Sequence, residues 1–237
     1  MHRKKCVRYR QCKSAGAKQD FVPPVYAHNT DDIMPDYEMI CDYIKMQGIW
    51  KASKINICGL MRGYATMIKI LFICHGNICR STMAESVLTH LVHQLHLDNQ
   101  FEIDSAATSR EEIGNPPHYG TKNKLYEENI PLVPHRARQM TRDDYLYFDY
   151  LIGMDSANIR NMTRIAGGTD SQDKIYKMLS FAGYEDTQKF TGARDVADPW
   201  YTGNFDETYE DVVAGCKGFL YYLQQKGDIS KEIEIPR

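Results

Sequence analysis

The residues best placed to do chemistry are Cys74-His75-Gly76-Asn77-Ile78-Cys79-Arg80-Ser81. A cysteine and an arginine with five residues between them bring together what an oxyanion needs. Cys74 supplies a sulfur nucleophile, and at the start of a loop rich in positive potential it is expected as the thiolate. Arg80 supplies a planar, permanently charged fork that matches two phosphate oxygens. The N–H groups of the loop and of the helix that follows make a concave anion site. Gly76 is read as allowing a backbone conformation that a side chain would block. Charge that develops on the equatorial oxygens during phosphoryl transfer is what such a cradle stabilises. In a chain with seven cysteines the spacing alone is a weak signal. The competing reading is an inert buried thiol next to a surface charge, and the flanking elements decide between them.

Those elements alternate. Ile68–Ile73 is a short apolar run, the mark of a strand covered on both faces. From Ser81, a candidate cap, to about His96 the apolar residues Met83, Val87, Leu88, Leu91 and Leu95 recur at helical spacing. Phe101–Ala106 reads as a strand, and Pro116-Pro117 opens a helix running to about Asn129. Thr141–Tyr147 is a short helix with a capping-box start, Tyr150–Met154 a strand and Asp155–Ala166 a helix. Ile175–Leu179 is a fourth strand, a polar loop runs to about Gly203, and Asp206–Gln225 closes as a helix. Strand–helix alternation of this kind gives a doubly wound α/β fold, a four-stranded parallel sheet with helices on both faces. The cysteine loop then lies at the carboxyl end of the first strand, where open parallel sheets bind ligands.

Composition is ordinary for a soluble globular protein: 43% apolar and 25% charged in 237 residues. No apolar run is long enough to span a membrane, and the basic N-terminus lacks the apolar stretch of a secretory signal. Cysteine spacing shows no disulfide framework, which favours a reducing, cytoplasmic setting. Residues 1–66 carry 11 Lys and Arg against 6 Asp and Glu, whereas the remainder is acidic. Neither part is basic enough for nucleic acid to be the principal partner. Residues 1–66 have weak periodicity, a basic cluster and one amphipathic stretch, Asp36–Met46. They are open to three readings: a poorly ordered extension, translated sequence upstream of a start at Met67, or a targeting or docking arm. The domain is expected over 67–228 and a C-terminal tail over 229–237.

Ile70–Glu85 resembles the signature of the low-molecular-weight protein tyrosine phosphatases almost throughout. Ile103–Ala106, Gly114–Pro117, His135–Gln139, Met154-Asp155 and Asp198-Pro199-Trp200-Tyr201 are similar to further family segments, in the same order. The resemblance covers about Met67 to Gln225. It implies the phosphotyrosine phosphatase I-like version of the flavodoxin-like fold, and a hydrolase acting on phosphotyrosine proteins or small aryl phosphates. In that picture Cys74 is the nucleophile, Arg80 the phosphate clamp and Asp198 the general acid and base. The alternative for Asp198 is a helix cap or turn residue. His75, Gly76, Asn77, Ile78 and Cys79 line the phosphate, although His75 stands where an aliphatic residue is common. Ser81, Ser105 and His135 brace the loop. Trp200 and Tyr201 form aromatic walls or, alternatively, pack within their own loop. Cys79 is a redox partner for Cys74 or a small packing residue.

No cofactor is expected, and no metal: no Cys/His cluster has zinc spacing. A monomer or weak dimer, with no membrane partner, fits this reading. Three rivals remain. Thioredoxin-coupled arsenate reductase needs relay cysteines, and beyond Cys79 there is only Cys216. Protein arginine phosphatase shares the scaffold and differs at the position of Ile78. A phosphate-binding module without turnover would not need Cys74, Arg80 and Asp198 together.

Overall fold

The computed structural model describes residues 67–183 and 194–236. The readings made for residues 1–66 lie outside the described residues. Strand β1 (Ile68–Cys74) is followed by α1 (Arg80–Gln94), β2 (Phe101–Ala107), α2 (Tyr119–Glu127) and α3 (Arg142–Tyr147). Then come β3 (Tyr150–Gly153), α4 (Ser156–Ala166), β4 (Ile175–Lys177), the short α5 (Pro199–Thr202) and the long α6 (Phe205–Lys226). The sheet is parallel throughout, in the order β2-β1-β3-β4. This is the doubly wound α/β architecture expected from the alternation.

The period of two along β1 splits its side chains between two cores. Ile68, Ile70, Phe72 and Cys74 join a cluster with Met83, Val87, Leu88 and Leu91 of α1 and Val212, Cys216, Phe219 and Leu223 of α6. Leu71 and Ile73 face the other way, against Leu151, Tyr145 of α3 and Met162 of α4. Because β2 lies on one side of β1 and β3 on the other, the chain reverses its winding direction between β1 and β3. The crevice at that switch point opens at the carboxyl ends of both strands, where Cys74 and Asp155 stand.

Several boundaries differ from the sequence reading, each for a local reason. Ser81 does not cap α1; Cys79 holds the N-cap position without a side-chain bond. Pro116-Pro117 lie before α2 rather than in its first turn, since a residue preceding proline is pushed out of the helical region. His118 is the cap instead, extended at φ −58° and ψ 147°, its Nδ1 accepting from the Gly120 N–H. β4 stops at Lys177 because Met178–Ser180 turns into a 3₁₀ helix. Within the segment read as one polar loop, Val196 is buried and Pro199–Thr202 is helical. The segment after α6 is no free tail: Ile229 and Ile235 are buried in the larger core. The capping box at Thr141 and Asp144 forms as its residues suggest.

Candidate active site

β1 delivers Cys74 buried, at the mouth of the turn Cys74–Arg80. The main chain curls so that the Asn77 N–H points back at the sulfur, 3.2 Å away. Curling this tightly puts Asn77 at φ 58°, and it is Asn77, not Gly76, that carries the left-handed conformation. Gly76 is small for another reason. A Cβ there would lie 3.1 Å from Glu112 Cγ, so the Ser109–Ile113 segment packs directly over the turn.

The sulfur has a second partner, the Ser81 hydroxyl at 3.1 Å. The side-chain network sets the direction of that bond. Asn77 Nδ2 donates both to Ser81 Oγ (3.0 Å) and to Ser105 Oγ (2.8 Å). Ser81 Oγ thus accepts from Asn77 and has its proton free to point at Cys74. Ser105 passes its proton on to Glu85 Oε2 at 2.6 Å. Asn77 Oδ1 in turn receives the Arg138 N–H at 3.0 Å and lies 2.7 Å from His135 Nε2. His135 Nδ1 lies 3.3 Å from Glu85 Oε2. Asn77, Ser81, Ser105 and Glu85 are all nearly inaccessible to solvent, so each bond is made away from competing water. Glu85, Asp104 and His135 converge closely enough to hold a cation. Ser105, Arg138 and Asn77 already occupy them, which accounts for the cluster as bracing of the turn.

Arg80 is 3% exposed and reaches back beneath the turn. Its Nη1 donates to Asp155 Oδ2 at 2.8 Å, and its Nη2 meets Asp198 Oδ2 at 2.6 Å. Burial works against the guanidinium, yet the negative charges of Cys74, Asp198 and Asp155 outweigh it and hold its proton more firmly than usual. Asp198 reaches this position because it begins α5, where its Oδ1 accepts from the Trp200 N–H and Pro199 occupies the first helical position. One carboxylate thus caps α5, as the alternative reading of Asp198 expected, and also pairs with Arg80. Asp155 is also double-faced: its Oδ1 caps α4 through the Asn158 N–H at 2.6 Å while Oδ2 takes Arg80.

The other residues singled out by sequence fall around this centre. Ile78 and Cys79 are buried against Ala137, with Phe205 beside them. Burial, reinforced by the charges of Cys74 and Asp198, pushes the Cys79 thiol up to about 12. His75 turns outward to Glu111, its Nε2 3.1 Å from Oε2, and is more than half exposed. Trp200 and Tyr201 are 60% and 85% exposed, so they stand at the rim and not inside the turn. Sequence reasoning missed three contributors. Glu85 sits one helical turn after Ser81, on the same face, a spacing that could have revealed it. Asp155 entered only as the start of a helix and part of a family segment, and Arg138, which anchors Asp104 and Asp144, leaves no local signature.

An anion-shaped turn carrying a cysteine and an arginine at the switch point of a parallel sheet defines a phosphate-handling α/β protein. Comparison with known proteins narrows the class. Residues 69–229 match the family model for low molecular weight phosphotyrosine protein phosphatase. The chain is 38% identical to the low molecular weight protein-tyrosine-phosphatase YfkJ of Bacillus subtilis, over 68% of this chain and 98% of that protein. It is likewise 38% identical to the low molecular weight phosphotyrosine protein phosphatase of Homo sapiens, over 64% and 92%. The crystal structure of YfkJ superposes with a TM-score of 0.62 at 37% identity, covering 68% of this chain and 97% of that one. A Drosophila arginine phosphatase superposes with a TM-score of 0.57 at 26% identity, over 66% and 98%. The chain belongs to the low molecular weight phosphotyrosine protein phosphatase family.

Proposed function

We propose that this protein hydrolyses phosphotyrosine in proteins through a phosphocysteine intermediate. The observation that carries the reading is the placement of Arg80: buried, held at both ends, and on the same turn as a sulfur that receives the Asn77 N–H and the Ser81 hydroxyl. In the first step the Cys74 sulfur attacks phosphorus in line, and the S–P bond forms as the bond to the tyrosine oxygen breaks. Asp198 gives its proton to the departing phenolate. In the second step water attacks phosphorus, Asp198 takes the proton, and the S–P bond breaks to free phosphate. Throughout, Arg80 and the amides of the Cys74–Arg80 turn hold the equatorial oxygens, and Ser81 steadies the sulfur as leaving group.

Asn77, Ser105 and His135 keep the turn in shape. His75, Gly76, Ile78 and Cys79 contribute main-chain donors or walls, and Trp200 with Tyr201 frames the entering ring. The cysteines Cys74, Cys79 and Cys216 are free thiols, which suits a reducing compartment such as the cytoplasm. Among the described residues no helix is long and apolar enough to cross a membrane. The test is turnover of p-nitrophenyl phosphate, expected in the native protein and absent in Cys74→Ser. Activity surviving in Cys74→Ser would remove the covalent mechanism.

The arginine phosphatase neighbour makes phosphoarginine the second substrate to try. Ile78 fills its position with apolar bulk, which favours the flat tyrosine ring. Parallel hydrolysis of phosphotyrosine and phosphoarginine peptides, with phosphotyrosine expected faster, decides between them.

A further inference from the structure

Next to the catalytic turn lies a second concavity of about 480 Å³, walled by α2, α5 and the start of α6. Its floor is attached to the phosphate-binding turn itself. The His118 N–H donates to the Ile78 carbonyl at 2.7 Å, and the Thr121 hydroxyl reaches the Cys79 carbonyl at 3.4 Å. Its near wall is Pro199-Trp200, the residues directly after Asp198. The groove therefore starts one residue from Asp198, within reach of residues that flank a phosphotyrosine held at the turn.

The groove has a flat aromatic surface. The His118 ring stacks on Phe205 with centroids 5.4 Å apart and planes 7° from parallel, and Trp200 presents an edge 6.1 Å from His118. Gly120 is required here, because a Cβ would fall 2.2 Å from the Phe205 ring. The rim carries two carboxylates, Glu127 and Asp206, against one ammonium group, Lys124. Lys124 is committed to Glu128 at 2.7 Å and Asp206 at 2.6 Å. Glu127 is exposed and makes no ion pair among the described residues. Burial, with the charge of Lys122, holds His118 below the usual imidazole range, so at neutral pH it does not repel a cation.

We propose that this groove is a specificity subsite that takes an arginine side chain close in sequence to the phosphotyrosine of a protein substrate. It rests on the phosphotyrosine reading of the neighbouring centre. The guanidinium plane lies on the His118–Phe205 stack with its methylene stem along Trp200, and its charge meets Glu127. Flat stacking makes arginine the preferred occupant over lysine, and the acidic rim turns away glutamate.

The test uses one phosphotyrosine peptide carrying Arg, Lys or Glu at each of three positions on either side, with p-nitrophenyl phosphate as a substrate that has no flanking residue to place in the groove. At low salt, one position is expected to favour Arg over Glu by about tenfold in kcat/KM and over Lys by about threefold, mainly through KM. The double variant Asn123→Arg/Glu127→Arg is expected to erase that preference while leaving p-nitrophenyl phosphate turnover unchanged. Fluorescent versions of the peptides bound to Cys74→Ser report the same ranking without turnover. A flat ranking in both assays, or a preference untouched by the double variant, overturns the subsite. Absence of p-nitrophenyl phosphate turnover with the binding ranking intact overturns the catalytic reading and leaves the groove standing.

Discussion

Asp155 and Asp198 grip Arg80 from two sides, one at each terminal nitrogen of its guanidinium. The two carboxylates come from loops after different strands, so the crevice between β1 and β3 is closed by one buried cation. They are not equivalent. Asp155 shares its carboxylate with the first turn of an eleven-residue helix, whereas Asp198 caps only the four residues of α5. Asp155 is therefore the more firmly anchored support, and in the proposed mechanism Asp198 is the one that yields Nη2 to an incoming phosphate oxygen.

That asymmetry separates binding from catalysis at Asp198. With Asp198→Asn the cap is retained, because asparagine also accepts from the Trp200 N–H. The competing negative charge at Arg80 and the transferable proton are both lost. We expect kcat for p-nitrophenyl phosphate to fall about 10²- to 10³-fold. Inhibition by orthovanadate should be as tight or tighter. Steady-state kinetics with vanadate titration reads both, and a parallel loss of vanadate affinity would show Asp198 to be a structural prop.

Asp155→Asn makes the complementary case. The amide oxygen can still cap α4, so Tm should move little, within about 3 °C for a change near 1 kcal/mol. Arg80 loses one charged partner and with it the rigidity of its fork. kcat/KM should drop about tenfold, more in KM than in kcat. Circular dichroism melts alongside peptide kinetics distinguish this from simple unfolding.

How much of this was legible in the chain depended on distance along it. The turn Cys74–Ser81 is local, and its strand and helix carry clean periodicities, so the cradle and its place at the carboxyl end of a strand could be read directly. Asp198 could be read only through the family resemblance, since nothing nearby says that its loop returns to Arg80 across more than a hundred residues. Glu85 and Arg138 were hidden because burial of a charge is a property of packing, and an acidic residue on a helix reads as solvent-facing until its partners are known. Gly76 was read for backbone freedom, whereas the left-handed residue of the turn is Asn77. Glycine is the usual occupant of positive φ, but Asn77 tolerates it and pins it with its side chain to Ser81 and Ser105.

Gly218 shows the same limit and yields a stability prediction. In sequence it is a weakness in the middle of a helix. In the fold, a Cβ there would lie 1.9 Å from the carbonyl oxygen of Phe181, the residue that ends the 3₁₀ turn after β4. Backbone cannot move aside as a side-chain tip can. Gly218→Ala, which raises helix propensity, should nonetheless destabilise the domain by about 3 kcal/mol. Thermal melting is expected to come down by roughly 6–12 °C. An unchanged or higher Tm would mean that the contact relaxes freely.

The last prediction concerns the two cysteines of the turn. Peroxide oxidises the Cys74 sulfur to a sulfenic acid, with the peroxide bond reduced to water. Cys79 can then attack that sulfur, expelling hydroxide and closing a disulfide that dithiothreitol reopens. The attacking species is the thiolate, and burial holds the Cys79 thiol up at about 12. Below that value its ionised fraction grows tenfold with each pH unit. Disulfide closure should therefore accelerate about tenfold per unit from pH 7 to pH 9, while activity remains recoverable by reductant. In Cys79→Ser, the sulfenic acid has no resolving partner and goes on to irreversible oxidation, so dithiothreitol should restore little activity. Equal recovery in the serine variant, or a closure rate that ignores pH, would leave Cys79 as a packing residue of the Ile78–Ala137 cluster.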